Sequence, residues 1–443
     1  MEDNKTSKAL VRFVVIMLIL ALIAVGILLF VRNRKKNVDF SSAVVDKEVE
    51  MPFAGSSKCI PYDENGDSSG FLQYDSDGIA AYNSNGDSLW NFAYSISNPS
   101  ISTCGKFTVV AETNGRNFHI IDGKGNVKDY TIDGEIYTIL KADVSANGVA
   151  AILTASDIEN HIFVYTTEKT EYIVDIYTTV KNNGIPVTIA ISDDGKKLAT
   201  SYITIKDGKA NTWLTFYNFG SVGGNKEDNI VGAFSYEDTM IPRMTFTSAD
   251  SFTAFSSKGI ELFTIPEIPK VLKTDGRATN TPTISPTPDP EGVNKNLEHT
   301  TAVTETKEYQ LEDTYNEIYG ADKASSDETK TIKDTFYNDI YSCLIVVEKD
   351  NKLFVEIYSN ETGKFQGKFE LEEYKGISLV NDKVVVYRDD SFKVYNFKGK
   401  LEFETDKLND KEIEGLEYVF SNGKKENGLL LLCVNKLIKV SFE

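Results

Sequence analysis

Apolar residues in this chain come in short runs of roughly five to eight, broken by turn residues, and the alternation inside them predicts strands along most of its length. Residues 187–219, VTIAISDDGKKLATSYITIKDGKANTWLTFYNF, show the unit in full. An apolar strand at 187–191 meets a Ser-Asp-Asp-Gly turn at 192–195. A second strand over 198–205 turns at Asp207-Gly208, and a third follows at 213–219. Asp-Gly suits a two-residue hairpin turn, which needs positive φ; Gly adopts it without a clash and Asp tolerates it. One such sheet cannot bury both faces, so it requires neighbours of its own kind.

Similar units flank it on both sides. The first lies at 71–92, FLQYDSDGIAAYNSNGDSLWNF, with turns at Asp77-Gly78 and Asn85-Gly86. The second spans 101–130, the third 143–175, and the fourth is 187–219 extended to 234 by GSVGGNKEDNIVGAF. The fifth runs from 244 to 272, with FTAFSS and GIELFTI as inner strands; after a gap come 340–369, 378–404 and 417–442. Eight units at about 40 residues each match the period of a four-stranded propeller blade. The last unit shows three strands, so the ring is expected to borrow its missing outer strand from the N-terminal side, with 42–45 as the candidate. The expected fold is therefore all-β, a β-propeller with eight blades favoured and seven left open. Outside one apolar segment no helical period is sustained, which excludes a parallel βαβ architecture with its crossover helices.

That apolar segment is residues 13–31, FVVIMLILALIAVGILLFV, nineteen residues without a charge. At about 1.5 Å per residue they span roughly 28 Å, close to the thickness of a bilayer's hydrocarbon core. No cleavage site of small residues follows; Arg32, Arg34, Lys35 and Lys36 do. The run reads as an uncleaved transmembrane helix. Three Lys/Arg precede it and four follow within the first 36 residues, so charge alone does not set the orientation. Downstream, the strand pattern stops between 274 and about 335, and TPTISPTPDPEG at 281–292 holds four of the chain's eleven prolines. Such a stretch favours hydrated, extended backbone and lacks the apolar surface to fund order by burial. Leu311, Tyr315, Ile318 and Tyr319 fall at helical spacing within it. The expected layout is an N-terminal tail (1–12), the membrane helix (13–31), a juxtamembrane lead-in (32–57), the first part of the propeller (58–273), a disordered Thr/Pro-rich insertion (274–335) and the second part of the propeller (336–443). The Thr/Pro stretch resembles linkers of surface-exposed bacterial proteins. A single anchor carrying a large globular part is most simply displayed outward, so the ring is expected to be extracytoplasmic.

Composition narrows the chemistry. The formal charge is −19, and because the first 36 residues carry seven Lys/Arg against two acids, the remainder stands at −24. A soluble part this acidic repels phosphate backbones, so no nucleic-acid partner is expected. The four cysteines, Cys59, Cys104, Cys343 and Cys433, form no CxxC pair, and the three histidines, His119, His161 and His299, are far apart. DENGD (63–67) and DSDG (75–78) resemble calcium loops without completing the ligand spacing, and read as hairpin turns. GSVGG at 220–224 lacks the Lys-Ser/Thr of a phosphate cradle. Trp90 and Trp213 sit in strand-like runs suited to core packing, and no G-x-S-x-G or H-E-x-x-H occurs. No catalytic, cofactor-binding or metal residue is singled out, and no cofactor is expected.

At FYNFGSVGGNKEDNIVGAFSYEDTMIPRMTF (216–246) and VTIAISDDGKKLATSY (187–202) the chain resembles a family of unknown function among Gram-positive bacterial membrane proteins. The resemblance covers nearly all of the chain except the Thr/Pro stretch. It implies an N-terminal single-pass anchor and a WD40- or quinoprotein-like propeller, and brings no catalytic residues. Three functions stay open: a scaffold for a protein or envelope partner, a glycan-active or other enzyme with its site in the central funnel, and a sensor working through a membrane partner. Carboxylates of raised pKa in the funnel would favour the enzyme; an exposed apolar patch on one rim would favour the scaffold.

Overall fold

The second strand of each four-stranded sheet is buried on both faces, and that requirement decides the architecture. In the computed structural model, which describes residues 40–443 apart from 41, 52, 54, 64–68, 220–229, 265–303, 307–330, 349–350 and 424–426, eight four-stranded antiparallel sheets form a ring. Seven are simple meanders of consecutive strands: blade 1 (58–93), blade 2 (99–131), blade 3 (138–179), blade 4 (185–236), blade 5 (243–264 with Thr304–Thr306), blade 6 (331–371) and blade 7 (376–405). Blade 8 takes three strands from 416–442 and its outer strand, Ala43–Glu50, from the N-terminal side. That strand pairs antiparallel with Lys436–Phe442, Ala43 opposite Phe442 and Glu50 opposite Lys436. First strands lie against one another around the axis between blades 2 and 3, 3 and 4, 4 and 5, 6 and 7, 7 and 8, and 8 and 1, where the ring closes.

Each junction between blades has its own apolar seam. The second strand of blade 8, GLLLLC, shows why: Leu429, Leu431 and Cys433 join the seam with blade 7, while Leu430 and Leu432 join the seam with blade 1. Successive side chains point to opposite faces, so a strand buried on both sides reads as an unbroken apolar run. Ala150 and Ile152 likewise face blade 2, and Ala151 and Leu153 face blade 4. Eight such seams are present, one for each junction. Turn chemistry fixes the registers. Asp207 (φ 53) and Gly208 (φ 76) both take the left-handed region that a two-residue hairpin requires.

Two strands fall wholly or partly within the interval 274–335 expected to be an insertion. Thr304–Thr306 pairs with Leu262–Thr264 and completes blade 5, and the first strand of blade 6, Thr331–Tyr337, begins inside the interval. Three polar residues at a sheet edge present no apolar alternation, so the pattern along the sequence does not register them. One short helix, Val180–Asn183, bridges blades 3 and 4, capped by the Thr179 hydroxyl, which accepts from Asn182 N. No helix among the described residues is long and apolar enough to cross a membrane. The run at 13–31, the basic cluster after it, the loop at 220–229, the Thr/Pro stretch at 281–292 and the helical spacing around Leu311 lie outside the described residues.

Candidate binding face

Two places on a propeller can host chemistry, the axis and the faces. At the axis, Asp143 sits half-buried on the first strand of blade 3. Its Oδ1 accepts from Ser102 Oγ of blade 2 at 2.5 Å and from Val144 N at 3.0 Å, and its Oδ2 from Ile191 N of blade 4 at 2.8 Å. Burial raises its pKa, while these donors oppose the shift. Nearby, Cys104 Sγ donates to Asp193 Oδ1 at 3.5 Å. Burial first, and then the fields of Asp193, Asp143 and Asp339, push its thiol far above the usual value. A thiol held protonated is no nucleophile, and a carboxylate engaged by three donors from three blades is a poor proton shuttle. The group ties blades 2, 3 and 4 together. A comparable tie joins blades 4 and 5, where buried Lys197 donates to Ala249 O at 2.7 Å and pairs with Asp250.

In a four-strand meander the first-to-second and third-to-fourth turns open on one face, and the second-to-third turns and inter-blade connections on the other. The two faces differ in where exposed apolar side chains fall: the first carries Tyr172, Ile173, Tyr337, Ile340 and Leu401 on blades 3, 6 and 7. On the second face, blades 3 to 5 expose large apolar side chains from successive connections and strand ends: Ile136 (58% exposed), Ile158 (67%), Ile185 and Ile205 (71%), with Met240 and Tyr177 beside them. Ile205 stands near the tip of a hairpin whose strands are ten residues each, against five each in the matching hairpin of blade 7. Backbone bonds lash these segments into one rim. Val180 N donates to Ile158 O at 3.1 Å, Thr239 N to Ala210 O at 2.8 Å, and Ser257 N to Met240 O at 2.8 Å. Farther around the same face, at blade 6, a cleft of about 400 Å³ is lined by charged groups, with Lys352 donating to Glu370 across it at 2.7 Å.

The residues weighed along the sequence fall as follows. Trp90 is buried in the seam of blades 1 and 2, its Nε1 donating to Tyr62 Oη at 3.4 Å. Trp213 is half-buried opposite Tyr202 on blade 4. Cys343 lies in the seam of blades 6 and 7, Cys433 in that of blades 7 and 8, and Cys59 in that of blades 8 and 1. Asp75 closes its own turn, Oδ1 accepting from Asp77 N at 2.9 Å. Of DENGD, only Asp63 is described. Among the described residues no group of three or more His, Cys, Asp or Glu could hold a metal ion. His119 and His161 pair with Asp129 and Asp175, each at 2.7 Å. The apolar rim had no signature along the chain, because its isoleucines are single residues, two in connections (Ile136, Ile158) and two near strand ends (Ile185, Ile205).

Eight four-stranded blades in a closed ring define an eight-bladed β-propeller, a class set by architecture that hosts many unrelated functions. The chain belongs to a family of unknown function (DUF5711), whose model matches residues 34–281 and 301–431. Among solved structures it is similar to the β-propeller domain of Cps50 (Swd1) from Myceliophteria thermophila, at 10% identity and a TM-score of 0.42, covering 90% of this chain and 99% of that one. BamB from Moraxella catarrhalis matches at 11% identity and a TM-score of 0.40, covering 89% of this chain and 100% of that one. The quinohemoprotein alcohol dehydrogenase ADHIIG from Pseudomonas putida HK5 matches at 9% identity and a TM-score of 0.47, covering 90% of this chain and 76% of that one. These are likenesses of fold. No curated protein matches the sequence.

Proposed function

We propose that the protein is a membrane-held, extracytoplasmic scaffold that binds a protein or cell-envelope partner through the apolar rim of blades 3 to 5. The observation that carries this reading is the rim itself, where isoleucines from four separate connections and strand ends stand exposed on one face. Residues 13–31 serve as the single-pass anchor, as in a Gram-positive membrane protein, and the Thr/Pro stretch accords with outward display. The route of the chain fits the rim's role. The outer strand of blade 8 starts at Ala43, opposite Phe442, on the face away from the rim. A tether of about 12 residues between the anchor and that strand reaches roughly 40 Å when extended. It enters the face turned towards the bilayer and leaves the rim turned outward. The acidity of the ring favours partners with basic patches over anionic polymers.

Two measurements test the reading. Proteolysis of intact, wall-stripped cells should degrade the propeller; full protection until lysis would refute the orientation. Crosslinking in cells should co-capture a membrane or envelope protein, and Ile158→Glu with Ile205→Glu should abolish that capture without lowering the melting temperature. An unchanged capture profile would refute the rim. Turnover of a glycan or alcohol by the purified ring, lost on changing one axial carboxylate, would replace the scaffold by an enzyme.

A further inference from the structure

One end of the rim carries a cluster of rings and carboxylates. His161, on the third strand of blade 3, stacks on Phe163 with ring centroids 5.1 Å apart and 7° between planes. Tyr137 and Tyr177 meet it edge-on at 4.8 Å and 5.2 Å. His161 Nδ1 and Asp175 Oδ1 share a hydrogen bond of 2.7 Å, and the Tyr137 hydroxyl donates to Glu159. His161 Nε2 is buried without a hydrogen-bond partner. Tyr177 remains exposed. Ile136 and Ile158 border the cluster, and Asp133, Glu135 and Asp157 stand exposed around it. Among the described residues, neither Glu159 nor Asp175 has a lysine or arginine partner.

From this arrangement, and resting on the scaffold reading above, we propose that the Tyr137–Glu159–His161–Asp175–Tyr177 cluster receives an arginine side chain from an extended segment of a protein partner, whose flanking apolar residues cover Ile136 and Ile158. Aromatic faces and carboxylates together select a planar cation. A guanidinium stacks on tyrosine while its N–H groups donate to carboxylate oxygens. The excess of carboxylates over paired cations supplies the complementary charge. The exposed isoleucines give the neighbouring side chains an apolar surface to bury. An anionic lipid surface would meet the carboxylates with repulsion, so a protein segment is the occupant.

The test uses the full-length purified protein and a fluorescent peptide with a central arginine and leucines at alternate positions around it, so that all point to one side of an extended chain. A glutamate-for-arginine peptide and N-acetyl-arginine amide serve as comparisons. The arginine peptide should bind, and Glu159→Gln with Asp175→Asn should weaken it about tenfold, the scale of one charge-assisted contact. Asp389→Asn with Asp390→Asn, which removes the same charge from blade 7 on the same face, should leave affinity unchanged. Equal weakening by both pairs would show attraction by net charge alone and overturn the site. So would absent binding, equal binding of the glutamate peptide, or binding of the free arginine derivative as tight as that of the peptide. Loss of cellular capture in the Ile158→Glu, Ile205→Glu protein, alongside peptide affinity indifferent to Glu159 and Asp175, would overturn the arginine site and leave the scaffold standing.

Discussion

Blades 3 and 7 present the same face of the ring, yet they finish it in opposite ways. Blade 7 neutralises itself. Lys375 pairs with Asp389 and with Glu417, the latter at 2.9 Å, and Lys393 pairs with Glu372 at 2.9 Å and Glu404 at 3.2 Å. Arg388 sits between Glu373 and Asp390. Blade 3 instead leaves Ile136, Ile158 and Tyr177 exposed beside carboxylates that pair with a histidine and a tyrosine. The backbone beneath is alike, a four-stranded meander with an apolar seam on each side. What differs is whether the side chains pair with one another as ions or stand in solvent as apolar groups. A propeller face can thus be closed over one arc and open over another without any change of fold.

Four experiments would break or sharpen that contrast. The largest effect belongs to the shared foundation. Leu153→Ala in the seam of blades 3 and 4 and Leu431→Ala in that of blades 7 and 8 should each cost about 2–5 kcal/mol by chemical denaturation. If only the first were costly, blade 3 would differ in its core and not merely in its surface. Next comes the open arc: Ile158→Glu with Ile205→Glu should remove partner capture while stability stays within about 0.5 kcal/mol of the parent, as expected for exposed positions. A large fall in melting temperature would mean that these isoleucines pack within the ring after all.

The third test is alkaline titration. The bond to Glu159, followed by burial, pushes the Tyr137 hydroxyl up to about 12, whereas a tyrosine in an unfolded chain ionises near 10. Its raised value means that the contact stabilises the fold fully below about pH 10 and loses that contribution as the pH climbs towards 12. The melting-temperature gap between the parent and Tyr137→Phe should be constant from about pH 6 to about pH 10, above the range where Glu159 takes up a proton, and shrink within the alkaline window. A gap that stayed constant throughout would dissociate Tyr137 from Glu159. The smallest effect is expected on blade 7, where Lys393→Ala should lower the melting temperature slightly at low salt and not at high salt, because exposed pairs are screened. A large, salt-independent loss would make blade 7's ion pairs structural.

Much of the fold was legible because seams dictate patterns. Leu429, Leu430, Leu431 and Leu432 must all be apolar when both faces are buried, and Asp207-Gly208 must sit where φ turns positive. The closing strand was legible by subtraction, since blade 8 lacked one. Thr304–Thr306 was not, because an edge strand needs only backbone hydrogen bonds and places no demand on its side chains. The rim and the blade 3 cluster were equally hidden. Tyr137, His161 and Tyr177 lie on a connection and two strands, and nothing in their local sequence marks them as neighbours.

The sequence by itself determined the all-β class, the blade period, the turn positions and the acidity of the ring. Each follows from local rules, side-chain alternation, backbone φ and summed charge, that act within one strand, one turn or over composition alone. Only the tertiary structure decided how many blades close, that Asp143 is consumed in tying three of them together, and that isolated isoleucines from four connections and strand ends converge on one rim. Those outcomes depend on distances between residues far apart in the chain. Ring closure fixes such distances through the geometry of all eight seams at once, and no single stretch of sequence contains it.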